Sequence, residues 1–178
     1  MERAIWIHTD IPTELVDSAT EELKTKEGLM EKSKASGADN VRSSKQLWVP
    51  SYVWIGGFIK HYADLANTAF GYDLGGIHGD ALQYTVYKEG DYFDWHYDDP
   101  HIEGHQNIRK LSFTLQLTEQ DEYEGGDLEF DDLGEDFSAP RQRGTIIFFD
   151  SRLKHRVTKV TSGTRRALVG WIGGPPWK

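Results

Sequence analysis

Apolar residues recur at helical spacing in the first half of the chain and alternate with polar residues in much of the second half. Spacings of three and four predict a helix over Val53–Phe70, which Gly71 closes. A polar capping position and early acidic residues predict an earlier helix over residues 13–27. The segment Met30–Asn40 has little apolar content and predicts a loop.

Short β-branched or aromatic segments, separated by turns that contain Gly, Asp or Ser, predict strands elsewhere. The expected strands are Ala4–His8, Val41–Trp48, Leu82–Tyr87, Tyr92–Tyr97, Leu111–Thr118, Gly126–Phe130, Gly144–Phe149, His155–Val160 and Arg165–Ile172. Two helices followed by many strands predict an α+β fold with a sandwich or jelly-roll core. The sequence has no internal repeat and no linker, so we expect a single domain over residues 1–178.

The charge and the residue types narrow the possible partners and metal ligands. A formal net charge of −9 and a pI near 5.2 would repel nucleic acid and anionic lipid, so neither is an expected partner. The absence of cysteine excludes disulfides and thiolate metal sites, which leaves His, Asp and Glu as metal ligands. No apolar run approaches the length of a membrane span, and we expect a cytoplasmic protein.

The segment Leu111–Thr118 alternates strictly between apolar residues and small polar ones. Its polar face carries Ser112, Thr114 and Gln116. One interpretation is an outer strand whose polar face lies in water. The other is a strand whose polar face points into a barrel and holds a polar ligand.

The triplet His96-Tyr97-Asp98 is a candidate metal motif, although such a triplet arises easily by chance. Its context adds weight, because Tyr92–Tyr97 is an expected strand, so that His96 and Asp98 would project from the same face. His155 and then Arg165 follow later in the chain. Two imidazoles and one carboxylate on one side of a metal leave three positions open, which suits non-haem Fe(II) and favours an oxygenase.

Arg165 lies on a predicted strand whose same face carries apolar residues at 167, 169 and 171. The sequence Thr161-Ser162-Gly163 predicts a tight turn that joins this strand directly to the strand of His155. A guanidinium group in such surroundings would be partly buried and would need an anion. That anion is either an acidic side chain of the protein or the carboxylate of a ligand.

Together, these motifs resemble the Fe(II)/2-oxoglutarate dioxygenases of the prolyl 4-hydroxylase-like group, and among them the PKHD-type hydroxylases. The resemblance runs from about Val41 to Trp171. The motifs that carry it are Asn40-Val41-Arg42-Ser43-Ser44, His96-Tyr97-Asp98, Leu111–Leu115, Tyr123–Leu128, Gly144-Thr145, His155–Thr161 and Gly163-Thr164-Arg165. It implies a double-stranded β-helix (jelly-roll) core with N-terminal supporting helices.

The resemblance also implies roles for four residues. His96, Asp98 and His155 would bind Fe(II), and Arg165 would pair with the distal carboxylate of 2-oxoglutarate. The implied reaction consumes dioxygen and 2-oxoglutarate and releases succinate and carbon dioxide, with ascorbate expected as a reductant. The carboxylate of Asp98 favours hydroxylation, since related halogenases leave this ligand position vacant for chloride.

Further contacts to 2-oxoglutarate follow from the same resemblance. Tyr87 resembles the family's cosubstrate-contacting tyrosine, and Thr114 or Gln116 would complete the pocket. Gln116 stands where several animal prolyl hydroxylases have a cosubstrate-binding tyrosine, so the chain departs from the family pattern at this position.

The resemblance implies a prolyl residue in a protein or peptide as the substrate. The expected rim of the substrate site comprises Arg42, Trp48, Trp95, Tyr97, Asp99 and His101. Two other interpretations remain open: a hydroxylase of a free amino acid or other small molecule on the same iron site, and a non-enzymatic cupin-like metal-binding module. We expect a monomer or a weak oligomer.

Overall fold

The computed structural model describes residues 4–33, 41–99, 104–133 and 137–177. Within these ranges two α-helices, α1 (Thr13–Lys24) and α2 (Trp54–Phe70), accompany twelve strands. The strands are β1 (Ile5–His8), β2 (Glu31–Lys32), β3 (Arg42–Ser43), β4 (Lys45–Pro50), β5 (Ala81–Lys88), β6 (Tyr92–His96), β7 (Ile108–Gln116), β8 (Tyr123–Gly125), β9 (Leu128–Phe130), β10 (Ile146–Asp150), β11 (His155–Val157) and β12 (Val160–Gly174).

The strands form two antiparallel sheets. The large sheet has the order β1-β10-β7-β12-β5-β4-β2, and β8 pairs with β12 beside it. The small sheet has the order β3-β6-β11-β9. Because most neighbours in each sheet are distant in the chain, strands alternate between the sheets as in a jelly roll, which confirms the predicted fold class.

The helices cover one face of the large sheet. Apolar residues of α2 such as Ile55 and Ile59 share a core cluster with Leu111, Phe113 and Leu115 of β7. Full burial of each of these side chains stabilises the fold by about 1.5–3 kcal/mol. This face therefore supplies most of the apolar core.

The opposite face of the large sheet is covered by the small sheet. Side chains from both sheets mix in two smaller clusters, for example Phe130 of β9 with Phe149 of β10. As a result, the polar face of β7 is buried as well: Ser112, Thr114 and Gln116 are 1–3 % exposed. The interpretation that places this face in water is wrong, because the second sheet excludes the solvent.

Two strand predictions are corrected by the sheet pairing. The expected strand Val41–Trp48 is divided at Ser44, so that β3 joins the small sheet and β4 the large one. The predicted hairpin at Thr161–Gly163 is also wrong, since β11 pairs with β6 and β9 whereas β12 belongs to the large sheet. Gly163 does adopt a positive φ of 76°, but it lies within β12, opposite β8.

The two helices are confirmed with changes at their ends. Helix α1 stops at Lys24 and begins without a side-chain capping bond, so the predicted polar cap is wrong. Gly71 closes α2 in the left-handed conformation, as predicted. In the expected loop Met30–Asn40, Glu31–Lys32 forms β2, and residues 34–40 lie outside the described residues. No helix of the described ranges is long and apolar enough to cross a membrane.

Gly163→Ala should destabilise the fold. The positive φ of Gly163 strains any L-residue, and an added Cβ would lie 2.1 Å from the carbonyl oxygen of Glu122. We expect the free energy of unfolding, measured by urea denaturation, to fall by about 1–3 kcal/mol. Gly28→Ala is the control, because an added Cβ there meets nothing within 4 Å. Equal stability of the two variants would contradict the assigned backbone conformation.

Candidate metal centre

The pairing of β6 with β11 brings two histidines together. His155 lies directly opposite His96 in the antiparallel register, and their ring centroids are 4.2 Å apart. The register shifts between this pair and the next, in which Val157 faces Phe93. Because three residues of β6 then correspond to two of β11, Phe93 and His96 both reach the space between the sheets.

Asp98 joins the histidines by a different route from the one that strand alternation predicts. Strand β6 ends at His96, so Asp98 lies beyond the ladder. Its amide, and that of Asp99, donate to the carbonyl oxygen of Ser151 at 3.1 and 3.0 Å. The hydroxyl of Ser112 donates to Oδ2 of Asp98 at 2.7 Å. The carboxylate of Asp98 is therefore held by β7, and its backbone by Ser151, which directly follows β10.

The three side chains form a compact set of donor atoms. Oδ1 of Asp98 is 3.4 Å from Nε2 of His96, and Oδ2 is 3.4 Å from Nε2 of His155. One donor atom from each residue lies within 4.8 Å of the other two. In the described part of the chain this is the one cluster of three or more His, Asp or Glu residues that could hold a metal ion.

Backbone contacts select the histidine nitrogens that face the cluster. Nδ1 of His96 lies 2.7 Å from the carbonyl oxygen of Asp94, and Nδ1 of His155 lies 2.9 Å from that of Leu153. A carbonyl oxygen only accepts hydrogen bonds, so each Nδ1 carries the proton. Each Nε2 then faces the cluster, where the neutral imidazole offers its lone pair to a metal ion.

The electrostatics keep Asp98 ionised. Burial alone would raise its pKa, but the charges and hydrogen bonds of His155 and His96 hold the pKa well below its usual value. Burial lowers the pKa of His155, and Asp98 outweighs that effect, so its pKa is raised. A divalent ion would replace a proton here and satisfy both the anion and the imidazoles. Two neutral nitrogens and one carboxylate suit Fe(II).

Aromatic rings enclose the two histidines. Phe93 stacks on His96 with centroids 3.5 Å apart, and Phe149 meets His155 edge-on at 4.7 Å. These contacts fix the planes of the imidazoles and exclude water from their outer sides. They leave the side that faces the cavity free.

A cavity between the sheets connects the histidine cluster with Arg165. Its walls come from both sheets. They comprise Arg42, Gln83, Tyr87, Phe93, His96, Asp98, Phe113, Thr114, Leu128, Phe149, His155, Val157, Arg165, Val169, Gly170 and Trp171.

Arg165 is a buried cation without an anion. Arg165 is 2 % exposed. Its Nη2 donates to Oε1 of Gln116 at 3.2 Å, and its Nε has no hydrogen-bond partner among the described residues. Its guanidinium carbon lies 5.4 Å from the ring of Tyr87. None of the acidic residues in the described ranges forms an ion pair with it. The described residues thus provide no internal salt bridge, which was one alternative for Arg165.

Two buried threonine hydroxyl groups also lack a hydrogen-bond partner among the described residues. Oγ1 of Thr114, which lines the cavity, and Oγ1 of Thr145 are both buried without a hydrogen-bond partner. Gly126 leaves room for the arginine, because a Cβ there would come within 3.0 Å of Cδ of Arg165. A buried guanidinium group that shares its cavity with the unpartnered hydroxyl of Thr114 fits a ligand carboxylate.

Arg42 lines the same cavity and is not an exposed rim residue. It is 8 % exposed, and its guanidinium carbon lies 4.7 Å from the ring centroid of Phe93. It donates to Ser44, Gln83 and Thr85 at 2.7–3.3 Å. All three partners are neutral, so a second guanidinium group without an acidic partner in the described ranges borders the site.

The other expected rim residues differ in position. Trp48 is 49 % exposed, and its ring lies 6.2 Å from that of Trp171 at the cavity wall. Tyr97 is 57 % exposed. Trp95 does not line the cavity, because its ring lies against the guanidinium group of Arg156 at 4.6 Å. The backbone amide of Asp99 donates to the carbonyl oxygen of Ser151. His101 lies outside the described residues.

Sequence reasoning missed several residues that shape the site. Gln83 occupies a cavity-facing position of β5, and the alternation of Leu82, Tyr84 and Val86 on the core side could have revealed it. Ser151 supports Asp98 from 53 positions away in the chain. No local pattern marks a contact of that kind.

The comparisons with known proteins agree with this geometry. The model of the 2OG-Fe(II) oxygenase superfamily matches residues 82–173, which is more than half of the chain. The chain therefore belongs to the 2OG-Fe(II) oxygenase superfamily, whose chemistry implies Fe(II), 2-oxoglutarate and dioxygen. Within it, the chain is similar in sequence to PKHD-type hydroxylases and in fold to prolyl 4-hydroxylases.

A PKHD-type hydroxylase of Synechococcus sp. (strain CC9311) is 45 % identical to the chain over 85 residues. The match covers 48 % of this chain and 37 % of that relative. The chain thus matches less than two fifths of the relative's length.

Solved structures share the fold over almost the whole chain. A Pseudomonas putida prolyl-4-hydroxylase has a TM-score of 0.77 at 17 % identity and covers 97 % of this chain and 94 % of its own. A Trichoplax adhaerens prolyl hydroxylase, in complex with a peptide fragment of hypoxia inducible factor, has a TM-score of 0.74 at 15 % identity and covers 95 % and 83 %. At these identities the likeness shows the jelly-roll fold.

Asp98→Ala should remove the metal site. We expect the dissociation constant for Mn(II), an air-stable substitute for Fe(II), to rise more than about a hundredfold, since loss of supporting groups outside the ligands alone costs roughly ten- to a hundredfold. Asp94→Ala is the matched control, because this neighbouring carboxylate is exposed and not in the cluster. Titration calorimetry would measure both, and equal affinities would contradict the assigned centre.

Proposed function

We propose that the protein is an Fe(II)- and 2-oxoglutarate-dependent dioxygenase that hydroxylates a prolyl residue in a protein or peptide. His96, Asp98 and His155 are the proposed metal ligands, and Arg165 is the proposed anchor of the cosubstrate. The observation that carries the proposal is that the buried Arg165 has no anionic partner among the described residues and shares one cavity with the three proposed ligands. A non-enzymatic metal-binding module does not account for that cation.

Three protein ligands on one side of the ion leave room for a chelating cosubstrate and dioxygen. Bound together, the metal and 2-oxoglutarate supply the oxidation of an unactivated C–H bond, with succinate and carbon dioxide as coproducts. Arg165 would donate hydrogen bonds to the distal carboxylate of the cosubstrate and orient it, with contacts from Tyr87, Thr114 and Gln116. Ascorbate as a reductant belongs to the same proposal.

The residues around the metal also restrict where water enters. Phe93 and Phe149 cover the histidines, and Leu128 and Val157 line the cavity beside them. A dry pocket strengthens the pairing of Arg165 with a carboxylate. The same apolar walls accept the hydrocarbon part of 2-oxoglutarate and of a substrate.

Two tryptophan rings at the edge of the cavity favour the proposal of a peptide substrate. Trp48 and Trp171 present their rings side by side, and Trp48 is half exposed. Aromatic-lined grooves recognise proline-rich segments, because such segments are already extended in solution. The Trichoplax prolyl hydroxylase, which shares this fold, was solved with a peptide fragment.

Succinate formation from 2-oxoglutarate by the Fe(II)-loaded protein under air tests the proposal, with a panel of proline-rich peptides present or absent and with or without ascorbate. Asp98→Ala should abolish turnover. Arg165→Ala should raise the KM for 2-oxoglutarate about a hundredfold, because truncation of a buried charge pair costs roughly 2–5 kcal/mol, so that only high cosubstrate concentrations restore turnover.

Arg166→Ala is the matched control for Arg165→Ala. The guanidinium group of Arg166 points to the opposite face of the sheet, where it donates to Glu27 at 2.7 Å. Its loss should lower stability and leave the KM for 2-oxoglutarate near the wild-type value. A wild type that neither binds 2-oxoglutarate nor forms succinate would refute the proposal.

A specific observation favours a second candidate, the hydroxylation of a free amino acid or another small carboxylate. Arg42 is buried at the cavity, carries no acidic partner in the described ranges and stacks on the ring beside His96. A substrate carboxylate would neutralise it, much as the cosubstrate would neutralise Arg165. An amide-capped peptide offers only carbonyl oxygens.

Arg42→Gln separates these two candidates. If Arg42 pairs with a substrate carboxylate, free proline should stimulate succinate formation in the wild type more than its amide does, and the variant should lose this preference. If the substrate is a peptide, capped peptides should stimulate turnover, and the variant should show no preference between acid and amide. Arg156→Gln is a control, since Arg156 pairs with Glu129 outside the cavity.

A further inference from the structure

We propose that the turn at residues 150–153, here called the supporting turn, positions two of the three metal ligands, and that Tyr72 and Trp177 hold this turn in place. Neither residue reaches the ligands, so both are positioning residues. The inference rests on the proposed role of His96, Asp98 and His155 as metal ligands.

The inner side of the supporting turn contacts Asp98 twice. The carbonyl oxygen of Ser151 accepts the amides of Asp98 and Asp99. The hydroxyl of Ser151 lies 2.9 Å from that of Ser112, which donates to the carboxylate of Asp98. One residue of the turn therefore fixes the backbone of Asp98 directly and its side chain through Ser112.

The same turn orients His155. The carbonyl oxygen of Leu153 accepts from Nδ1 of His155 and so sets the direction of Nε2. The amide of Leu153 in turn donates to the carbonyl oxygen of Asp150 at 3.0 Å, which closes the turn. A displacement of the turn would therefore move Asp98 and His155 relative to His96.

The outer side of the supporting turn is fixed through the buried carboxylate of Asp150. Arg152 donates to this carboxylate from its amide and its guanidinium group. The hydroxyl of Tyr72, which follows α2, donates to Oδ2 of Asp150 at 2.6 Å. Burial and Asp150 raise the pKa of Tyr72 to about 12, so the hydroxyl keeps its proton over the neutral range.

Trp177, in the segment that follows β12, packs against the two residues that bind the carboxylate of Asp150, namely Arg152 and Tyr72. Its ring lies 3.9 Å from the guanidinium carbon of Arg152 and 3.8 Å from Nζ of Lys110. It also meets the ring of Tyr72 edge-on at 4.9 Å. The carbonyl oxygen of Lys110 accepts from the amide of Ser151, so the tryptophan contacts the supporting turn directly at Arg152 and, through Lys110, at Ser151.

These contacts bear on the metal because Asp98 lies beyond the end of β6. The sheet ladder fixes the backbones of His96 and His155, but the direction of the His155 imidazole and the position of Asp98 both depend on the turn. Metal–ligand distances tolerate changes of only about 0.2 Å. A looser supporting turn should therefore weaken metal binding before it affects the fold.

The test is the affinity for Mn(II) alone, measured by electron paramagnetic resonance of the free ion, in Tyr72→Phe and Trp177→Leu. We expect each variant to bind about three- to tenfold more weakly, somewhat less than the roughly ten- to a hundredfold typical of groups that touch a ligand directly. Trp177→Phe keeps an aromatic ring between the two cations and should recover most of the wild-type affinity.

Tyr84→Phe is the matched control. The hydroxyl of Tyr84 donates to Glu27 at 2.7 Å, and Glu27 also pairs with an arginine. Tyr84 and Tyr72 thus make the same kind of contact, a tyrosine hydroxyl bound to a carboxylate that also pairs with an arginine. This contact lies on the helix-covered side, away from the cavity. Tyr84→Phe should lower the thermal unfolding midpoint and leave Mn(II) affinity unchanged.

The possible outcomes are distinct. Wild-type affinity in Tyr72→Phe and Trp177→Leu would overturn the positioning role and leave the metal centre intact. Equal loss of affinity in Tyr72→Phe and Tyr84→Phe would also overturn it, since general destabilisation would then explain the effect. A wild type that does not bind Mn(II) would refute the metal centre itself, and the inference with it.

Discussion

The pairing of His155 with His96 across β6 and β11 is the constraint on which the rest of the site depends. It brings two imidazoles from residues 59 positions apart to a centroid distance of 4.2 Å. The register shift beside this pair turns Phe93 inward as well, so that an aromatic ring supports His96. Asp98 lies beyond the ladder, where its carboxylate is held by Ser112 of β7 and its backbone by Ser151 of the turn that follows β10.

The large sheet separates stability from chemistry by its two faces. The face under the helices is a continuous apolar cluster. The cavity face carries polar groups that the protein satisfies only in part, including Nε of Arg165 and Oγ1 of Thr114. Each unsatisfied buried group costs about 1–3 kcal/mol. The apolar face offsets this cost, and the unsatisfied groups are those that a bound carboxylate would engage.

Local patterns predicted what local chemistry determines. The spacing in Val53–Phe70 gave the helix, and the alternation in Leu111–Thr118 gave a strand with one apolar and one polar face. The same alternation could not decide whether the polar face meets water, because that depends on a second sheet built from distant segments. The division of Val41–Trp48 at Ser44 and the absence of a hairpin at Thr161–Gly163 have the same origin, since neighbouring segments pair with different sheets. The triplet His96-Tyr97-Asp98 did locate the cluster. Strand alternation did not explain how Asp98 reaches it, because β6 ends at His96 and Asp98 is held by contacts from distant segments.

Two buried guanidinium groups line the cavity and determine which anionic groups it can bind. Arg165 lies on the large sheet with Gln116 and Tyr87 beside it, and Arg42 lies on the small sheet over Phe93. Desolvation makes an unneutralised arginine costly, and neutral hydrogen-bond partners compensate only in part. Arg42 has three such partners and Arg165 one, so the need for an external anion is greater at Arg165. This difference supports Arg165 as the proposed anchor of the cosubstrate, and it leaves Arg42 suited to a weaker interaction, with either a carboxylate or the carbonyl oxygens of a peptide.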